Sequence, residues 1–507
     1  MCWKFAVALM AVVAIAIGLF ELRGASDGLR IICTKVDNTP VTIFQPASTV
    51  PAPVVVIAHG FAGSQQLMQP FAETLAHNGY IAVTFDFLGH GRNPTPLHGD
   101  VTEGKAITSE LLKELGQVAM YARTLPDSDG RIAALGHSMA SDIVIRFAQA
   151  NPDVQATVAV SVFSPVVTAT SPRNLLVIVG ALEPSMLKDE GLRIVNLTSA
   201  GNAVAGETYG NFTDGTARRL VLARGVEHIG VLYSRDSMEQ SLRWMNEAFD
   251  RQQGLGFVDS RGRWLALIFL GIVALAWPLS ALLPAASATP AGASVTWKPL
   301  LMAAFAPALL TPLLLWKVPT EFLPILLGDY LALHFLLYGA LTAAFLLYPR
   351  GRWTELRMLR VSWRNIAIAA AAVGIYNIIA FGLPIDAFIF SFLPIPARIP
   401  LMAAIACGTL PYFVADEWLT RGARSRRGTY ALTKFCFLLS LAIAVALNPM
   451  KLFFLVIIVP AILLLFLAFG LISRWSYKAT HHPLPGALAN AAVFAWAIAV
   501  TFPMIVR

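Results

Sequence analysis

The sequence has few charged residues for its length. Asp, Glu, Lys and Arg make up 13% of its 507 residues, hydrophobic residues make up 56%, and the mean hydropathy is +0.64. These values exclude an ordinary soluble enzyme of this size. The length also exceeds that at which a single hydrophobic core stops growing, so we expect at least two domains.

Cysteine is scarce as well. The four cysteines are Cys2, Cys33, Cys407 and Cys436, and only Cys33 lies in a part of the chain that is not dominated by apolar runs. No disulfide framework or metal site follows from this spacing, and we expect no cofactor. The formal net charge is +8, but the basic residues cluster in short loops between apolar segments. That pattern indicates membrane topology and no nucleic-acid partner.

Long apolar segments are abundant. A run over 5–20 follows Lys4, and because no favourable signal-peptidase site comes after it, we predict an uncleaved transmembrane signal anchor over 1–23. From residue 264 onward, further segments reach the roughly 20 residues that a bilayer requires. The candidate spans are 5–20, 264–283, 300–316, 323–348, 366–383, 399–415, 430–447, 452–472 and 486–503.

The basic loops predict the orientation of these spans. Two spans separate a loop with Arg350, Arg352, Arg357, Arg360 and Arg364 from a loop with Arg421, Arg424, Arg426 and Arg427. Both loops are therefore predicted to face the cytoplasm. Counting spans back from them places residues 24–260 outside the cytoplasm, and we expect an integral protein of a bacterial inner membrane.

Residues 24–260 alternate short apolar runs with helical patterns. The runs at 54–58, 81–85, 132–135, 157–162, 175–179 and 219–223 predict strands, and 108–124 predicts a helix. The run at 54–58 is almost entirely β-branched, which is typical of a strand buried on both faces of a parallel sheet. We therefore expect a mostly parallel sheet with crossover helices.

One turn in this region is typical of a nucleophile elbow. Gly136-His137-Ser138-Met139-Ala140 follows a predicted strand and precedes a helical pattern. A serine attacks a carbonyl only when its Oγ stands clear of the backbone on a tight strand-to-helix turn, and small residues two before and two after let that turn close. Ala140 stands where the motif usually has its second glycine.

Three further features stand in order around the elbow. They are His59-Gly60 after the strand at 54–58, the loop from Asp86 to Gly91, and His228 near the end of the region. Together with Ser138 they resemble the α/β-hydrolase fold over about residues 30–252, as in esterases, lipases and serine aminopeptidases. The resemblance implies an α/β class with a doubly wound, mostly parallel sheet over 24–260. Residues 261–507 resemble no known family and are predicted to form an all-α membrane domain of about eight transmembrane helices.

The chemistry of these residues predicts their roles. A serine hydroxyl is a poor nucleophile, so Ser138 needs an imidazole to accept its proton, and His228 is the candidate. A carboxylate must orient that imidazole. Glu183 follows the strand after which the resembling family places its acid, and Asp189 is the alternative. The backbone N–H groups of Phe61 and Met139 are the expected oxyanion donors.

Three neighbouring side chains are assigned supporting roles. We expect His59 to order the glycine-rich loop rather than to transfer protons. Asp86 is expected to hold its loop through hydrogen bonds to nearby N–H groups. His137 lies inside the elbow, where its backbone is committed to the turn, so it is expected to support the site rather than to act as the base.

The stretch between the strands at 157–162 and 175–179 is too short for a helical cap. We therefore expect an open site that takes a bulky ester or acyl substrate, lipid-linked or from the cell envelope, with membrane lipids as the surroundings. The leading interpretation is a membrane serine hydrolase. Two alternatives remain open: an acyltransferase that uses the same residues with a hydroxyl acceptor, and a transporter or scaffold whose hydrolase-like domain only binds.

The apolar half carries a few ionisable residues. Asp329 and His334 lie within a span, where such residues mark either a functional site or a polar contact between helices. Asp416 and Glu417 are expected to be solvated at a helix end. The stretch 384–400, with four prolines, is predicted to be a re-entrant or interfacial loop on the side of residues 24–260.

Overall fold

The computed structural model describes residues 2–48, 50–98, 104–252, 254, 256–347 and 361–506. The chain forms two compact units. The first, called here the α/β unit, comprises Ile17–Ala266, Ile385–Ser391 and Pro503–Arg507. The second, called the helical unit, comprises Met1–Ala16, Leu267–Pro384 and Phe392–Phe502. Two short segments from beyond residue 380 therefore belong to the α/β unit.

The α/β unit is built on a nine-stranded sheet, and a separate two-stranded sheet lies beside it. The strands are β1 (Leu29–Val36), β2 (Thr39–Pro46), β3 (Ala52–Ala58), β4 (Ile81–Phe85), β5 (Leu97–His98), β6 (Ser128–His137), β7 (Val154–Val160), β8 (Leu175–Gly180), β9 (Thr208–Tyr209), β10 (Arg218–Ala223) and β11 (Ile505–Val506). The order in the large sheet is β1-β2-β4-β3-β6-β7-β8-β10-β9. The six strands from β4 to β10 in this order are parallel, while β1, β2 and β9 pair antiparallel. The predicted mostly parallel sheet is confirmed.

Helices cover both faces of this sheet, which is why its central strands are apolar throughout. Every residue of β3 and β8 is buried. Alternate residues of β8 face opposite cores: Leu176 and Ile178 lie in one, Val177 and Val179 in the other. The helices of this part of the chain are α1 (Cys2–Gly24), α2 (Gln69–His77), α3 (Gly104–Arg123), α4 (Met139–Ala150), α5 (Ser185–Ser199) and α6 (Arg235–Ala248). Helices α2 and α6 contribute to the first core, and α4 and α5 to the second.

The helical unit is all-α. Its helices are α7 (Arg261–Leu279), α8 (Trp297–Leu315), α9 (Gly328–Leu347), α10 (Trp363–Tyr376), α11 (Gly382–Phe388), α12 (Ile399–Thr420), α13 (Thr429–Leu447), α14 (Pro449–Leu452), α15 (Leu455–Thr480) and α16 (Leu484–Thr501). Within the described part of the chain, nine helices, counting α1, are long and apolar enough to cross a bilayer. This number agrees with the predicted spans. The loop with Arg350, Arg352, Arg357 and Arg360 lies outside the described residues.

Small residues let two of these helices approach closely. A Cβ added at Gly339 of α9 would lie 2.4 Å from the backbone nitrogen of Tyr412 in α12. A Cβ added at Gly408 of α12 would lie 2.1 Å from the carbonyl oxygen of Ala332 in α9. In a lipid environment the hydrophobic effect does not drive helices together, so apolar helices commonly associate through close backbone packing at small residues such as glycine.

Three carboxylates of the helical unit have polar partners. Asp416 is buried in an ion pair with Lys434 of α13, and Glu417 is buried with its Oε2 2.9 Å from Nε of Arg421. The expectation that both carboxylates are solvated is therefore wrong. Opposite charges from the same and the neighbouring helix compensate for their desolvation. Asp329 accepts a hydrogen bond from the backbone N–H of Phe322 at 3.0 Å, a local contact at the start of α9.

Candidate active site

Ser138 occupies a strained turn between β6 and α4. Its φ is 54° and its ψ is −119°, a conformation that residues with a Cβ rarely adopt. The turn is held by the backbone N–H of Ser138, which donates to the carbonyl oxygen of Val160 at 2.8 Å. This is the geometry of a nucleophile elbow, in which strain holds the hydroxyl clear of the backbone.

The two small residues of the elbow, Gly136 and Ala140, differ in whether the turn has room for a Cβ. A Cβ added at Gly136 would lie 2.4 Å from the carbonyl oxygen of Ala140, so only glycine fits at that position. Ala140 itself is fully buried in the turn with its methyl group accommodated. The departure from the usual second glycine therefore leaves the turn intact.

Three predicted side chains form one hydrogen-bonded chain. Ser138 Oγ lies 3.0 Å from Nε2 of His228, and Nδ1 of His228 lies 2.7 Å from Oε2 of Glu183. Ser138 follows β6, Glu183 follows β8 and His228 follows β10. Since these strands are parallel, their carboxyl ends meet at one edge of the sheet, which brings together residues that are far apart in the sequence.

The structure brings Glu183, and not Asp189, to His228. The Glu183 carboxylate is fully buried beneath the imidazole. Asp189 lies exposed on α5. Of the two carboxylates left open by the sequence, Glu183 is the one in position to fix the tautomer of His228.

Ser161 holds the second oxygen of the Glu183 carboxylate. Its hydroxyl donates to Oε1 of Glu183 at 2.7 Å, and the backbone N–H of Gly180 donates to the same atom at 2.7 Å. Ser161 is buried, with a φ of 56°, at the end of β7. Hydrogen bonds to an ionised carboxylate are shorter and stronger than those between neutral groups. Sequence reasoning missed this residue, for which a serine at the end of the strand beside the elbow is the only signal.

One expected oxyanion donor directly follows the serine in the sequence, and the other follows a glycine that packs against the serine. Met139 is the first residue of α4, and the first N–H groups of a helix have no partner within the helix. Phe61 follows β3 and Gly60. A Cβ added at Gly60 would lie 3.0 Å from Cβ of Ser138, so the backbone leading to Phe61 runs directly against the elbow. This arrangement can direct N–H groups at an oxygen that develops negative charge.

Two buried side chains hold the loops that border the site. The His59 Nδ1–H donates to the carbonyl oxygen of Gly60 at 2.8 Å, and its Nε2 accepts from the Phe87 N–H at 3.1 Å. Burial lowers the pKa of His59, so the ring stays neutral. Asp86 accepts from the backbone N–H of Gln65 at 2.8 Å. Through these contacts, His59 and Asp86 connect the loop after β3 to the loop after β4.

His137 contacts the backbone of the residue proposed as the base. Its Nε2–H donates to the carbonyl oxygen of His228 at 3.0 Å, and the two rings are 4.9 Å apart. Burial, together with the neighbouring His228, lowers the pKa of His137 well below its usual range. A neutral His137 therefore supports the position of the His228 loop.

A buried carboxyl group supports the loop after β4. Glu114 of α3 accepts from the Leu88 N–H at 2.8 Å, from the Thr39 hydroxyl at 2.6 Å and from the Asn93 amide at 2.9 Å. Burial raises the pKa of Glu114 to about 7. The sequence placed this residue on a helix but carried no signal that it is buried.

Glu114 predicts a pH dependence of stability. Since its pKa in the folded chain lies above that in the unfolded chain, the folded state binds more protons, and stability falls as the pH rises from about 4.5 through about 7. Between pH 5 and pH 8, the free energy of unfolding of wild type should fall by up to about 3 kcal/mol relative to that of Glu114→Gln. Thermal unfolding of the purified proteins at both pH values measures this difference. The exposed Glu207→Gln serves as the control. A wild-type-to-variant difference that stays constant from pH 5 to pH 8 contradicts this prediction.

Exposed apolar side chains lie near the site. In the described chain, the stretch between β7 and β8 contains no helix, as the sequence predicts. Phe163 after β7, Leu182 beside Glu183 and Met186 at the start of α5 are 55%, 67% and 50% exposed. These residues come after β7 and β8, so they lie at the same carboxyl edge of the sheet as Ser138, Glu183 and His228. Apolar surface at that edge suits an apolar substrate group.

Comparisons with known proteins agree with the fold. Residues 49–190 match the sequence model of the family "Serine aminopeptidase, S33". A stretch of 117 residues is 25% identical to cutinase 1 of Thermobifida cellulosilytica, covering 23% of this chain and 42% of that protein. The same length is 25% identical to a cutinase of Thermobifida fusca, covering 36% of it. The chain thus spans less than half the length of these relatives.

Two solved structures are similar to less than half of this chain. A protein assigned as a dienelactone hydrolase from Klebsiella pneumoniae is 18% identical, with a TM-score of 0.34 over 44% of this chain and 100% of that one. Est1E from Butyrivibrio proteoclasticus, solved with ferulic acid, is 16% identical, with a TM-score of 0.33 over 43% and 99%. With its sheet order, its elbow and the match over 49–190, the α/β unit of this chain is an α/β-hydrolase domain similar to the serine aminopeptidase S33 family.

Proposed function

We propose that this protein is a membrane-anchored serine hydrolase that cleaves an ester or a related acyl bond through an acyl-enzyme intermediate. The observation that carries the proposal is the unbroken hydrogen-bond chain from Ser138 through His228 to the buried Glu183 carboxylate. A domain that only binds has no need of a strained serine aligned with an imidazole and a carboxylate. The likeness to cutinases supports an ester as the bond that is cleaved.

In this mechanism, His228 activates the nucleophile. Its Nε2 accepts the proton of the Ser138 hydroxyl while Oγ attacks the carbonyl carbon of the substrate. The resulting imidazolium is stabilised by the Glu183 carboxylate at Nδ1. His228 then donates its proton to the leaving oxygen, which departs as an alcohol, and the acyl group remains on Ser138.

The oxyanion formed in this step requires fixed donors. The N–H groups of Phe61 and Met139 are proposed to stabilise it, a contribution of about 3 kcal/mol for a single donor in comparable sites. Water then attacks the acyl-enzyme, with His228 accepting a proton from the water and returning it to Ser138 Oγ. The products are a carboxylic acid and the free enzyme.

The open edge and its exposed apolar side chains support a substrate with a bulky apolar acyl group. Phe163, Leu182 and Met186 would contact that group while the reacting carbonyl lies at Ser138. A lipid-linked or cell-envelope ester fits these features, because its apolar part is presented at a membrane surface.

The loops of the helical unit support the predicted orientation. Counting spans places the connections at 283–296 and 481–483 on the same side as the loop at 421–428. Residues at this end contact one another: the Ala286 N–H donates to the Thr480 carbonyl at 2.8 Å, and the Ala293 N–H donates to the Trp418 carbonyl at 2.8 Å. The basic residues at 421–427 belong to this group of loops. Four candidate spans lie between residues 24–260 and Ser391, the last residue of the segment Ile385–Ser391, and four more lie between Ser391 and Pro503. An even number each time agrees with all three lying on the non-cytoplasmic side.

The orientation is tested with protease added to intact spheroplasts. We expect proteinase K to digest residues 24–260 without lysis, while the loop after α12 is cut only after lysis. Digestion of the α/β unit only after lysis contradicts an extracytoplasmic site.

The activity is tested with p-nitrophenyl esters of increasing acyl length and the purified full-length protein. We expect hydrolysis that depends on Ser138. The value of kcat/KM should rise from acetate to medium-chain esters, because a longer acyl chain would contact Phe163, Leu182 and Met186. Adding a hydroxyl acceptor separates hydrolysis from acyl transfer. If the acyl-acceptor product forms faster than free acid at low acceptor concentration, the enzyme is an acyltransferase. No turnover of any ester contradicts the proposal.

Ser161 is expected to position the proposed acid. Ser161→Ala removes one of three hydrogen bonds to Glu183 and should lower kcat about tenfold, since a hydrogen bond to a charged group contributes about 1.5–3 kcal/mol. We expect KM to change less than twofold, because Ser161 acts through Glu183 and not on the substrate. Ser199→Ala, which removes a hydroxyl bonded to Asn196 at the end of α5, is the matched control. A kcat unchanged by Ser161→Ala refutes this role.

A further inference from the structure

Two short segments from the apolar half of the chain are built into the α/β unit. Ile385–Ser391 begins within the short helix α11, and Pro503–Arg507 follows the last long helix. Neither lies within the residues over which the chain resembles an α/β-hydrolase. Their contacts are with the two loops that border the candidate active site.

Segment Ile385–Ser391 is bonded to the loop that carries the proposed oxyanion donor. The Ser391 N–H donates to Ser64 Oγ at 2.9 Å, and the Ser391 hydroxyl donates to Gln66 Oε1 at 2.9 Å. The Ser64 hydroxyl donates to the same Gln66 oxygen at 2.8 Å. All three side chains are buried, so these bonds are shielded from competition with water. Ser64 lies three residues after Phe61.

A salt bridge connects the same segment to the second loop. Asp386 Oδ2 lies 2.5 Å from a guanidinium nitrogen of Arg92. The backbone N–H of Arg92 donates to Asp86 at 2.9 Å, and Asp86 also accepts from the backbone N–H of Gln65. Asp386 is therefore linked through Arg92 and Asp86 to the residue next to Ser64.

Segment Pro503–Arg507 fastens the second loop from another direction. The Met504 N–H donates to the Gly89 carbonyl, and the Leu97 N–H donates to the Met504 carbonyl, both at 2.9 Å. Strand β11 then pairs in parallel with β5. A Cβ added at Gly89 would lie 2.3 Å from the Met504 carbonyl oxygen, so the approach requires glycine.

We propose that Asp386 and Ser391, which lie far from the hydrolase-like region in the sequence, are positioning residues that hold the Phe61 N–H in place for the oxyanion. This inference rests on the proposed function. An oxyanion donor acts only if it is held within about half an ångström of its working position. Loops are the least stable parts of a fold unless buried contacts fasten them. Catalysis in the α/β unit thus depends on residues contributed by the apolar half of the chain.

The test uses the full-length protein with Asp386→Asn and Ser391→Ala combined. We expect kcat for ester hydrolysis to fall about tenfold, with KM changing less than twofold. The reason is that the Phe61 N–H is proposed to bind the oxyanion of the transition state more strongly than the carbonyl oxygen of the substrate. Affinity for a trifluoromethyl ketone, which binds as an oxyanion, should fall by the same factor as kcat/KM. The matched control is Asp153→Asn, which breaks an exposed ion pair with Arg123 elsewhere in the unit.

Titration of reactive serine with a fluorophosphonate separates the outcomes. A lower kcat per titrated site, with ketone affinity reduced in parallel, supports the positioning role. An unchanged kcat per site overturns it, as does a loss that only follows the number of folded molecules. If the double variant does not accumulate, Asp386→Asn alone is compared with Asp386→Glu, which keeps the carboxylate and should restore kcat; equal rates overturn the role. Failure of the proposed function looks different, since wild type would then neither label nor turn over.

Discussion

Ser138→Ala should lower ester hydrolysis by about 10⁵-fold, to the level that binding and oxyanion stabilisation alone supply. The reason is that the variant has no Oγ to form the acyl-enzyme, and His228 is left without the hydroxyl 3.0 Å away. The measurement is the initial rate with the best p-nitrophenyl ester, per mole of folded protein.

The fold of this variant should be preserved. Alanine keeps the Cβ that already fits the turn, so the unfolding temperature is expected to stay within about 2 °C of wild type. A folded Ser138→Ala protein that retains more than one hundredth of the wild-type rate would mean that another group is the nucleophile.

Glu183→Gln should lower kcat by about 10³ to 10⁴-fold, comparable to the loss when a triad carboxylate becomes an amide. An amide in place of the carboxylate can present N–H to Nδ1 of His228, which favours the tautomer whose Nε2 cannot accept the Ser138 proton. It also removes the charge that stabilises the imidazolium. The measurement is kcat between pH 6 and pH 9, so that a shifted optimum is not mistaken for a loss.

Asp189→Asn is the matched control for Glu183→Gln, because it makes the same charge change six residues further along the chain. Its side chain is exposed on α5, and we expect kcat within twofold of wild type. If Asp189→Asn causes the large loss and Glu183→Gln does not, the acid is assigned to the wrong residue.

The central sheet was predictable because its strands are buried on both faces. Runs such as Val54-Val55-Val56-Ile57 have no polar face, so they can lie only inside a covered parallel sheet. The turn at Ser138 was also predictable, since Gly136 is required by a contact only four residues away in the sequence. Local steric requirements and continuous apolar runs can be recognised directly in the sequence.

Contacts between residues that are far apart in the sequence could not be predicted in this way. The hydroxyl of Ser161 reaches Glu183 because β7 and β8 are neighbours with a particular register, and nothing near Ser161 signals that register. Asp416 was expected to be solvated because it lies at a helix end, but it pairs with Lys434 on the next helix. The bonds of Ser391 to the loop after β3 join residues more than 300 positions apart. Such pairs depend on the assembled fold, not on local pattern.

The most direct test of the proposed function is covalent labelling of the purified full-length protein with a fluorophosphonate, followed by peptide mass spectrometry. The account predicts one phosphonylated residue per molecule, Ser138, with labelling slowed by Glu183→Gln and absent in Ser138→Ala. Folded wild-type protein that does not label, or an adduct on any residue other than Ser138, would contradict it.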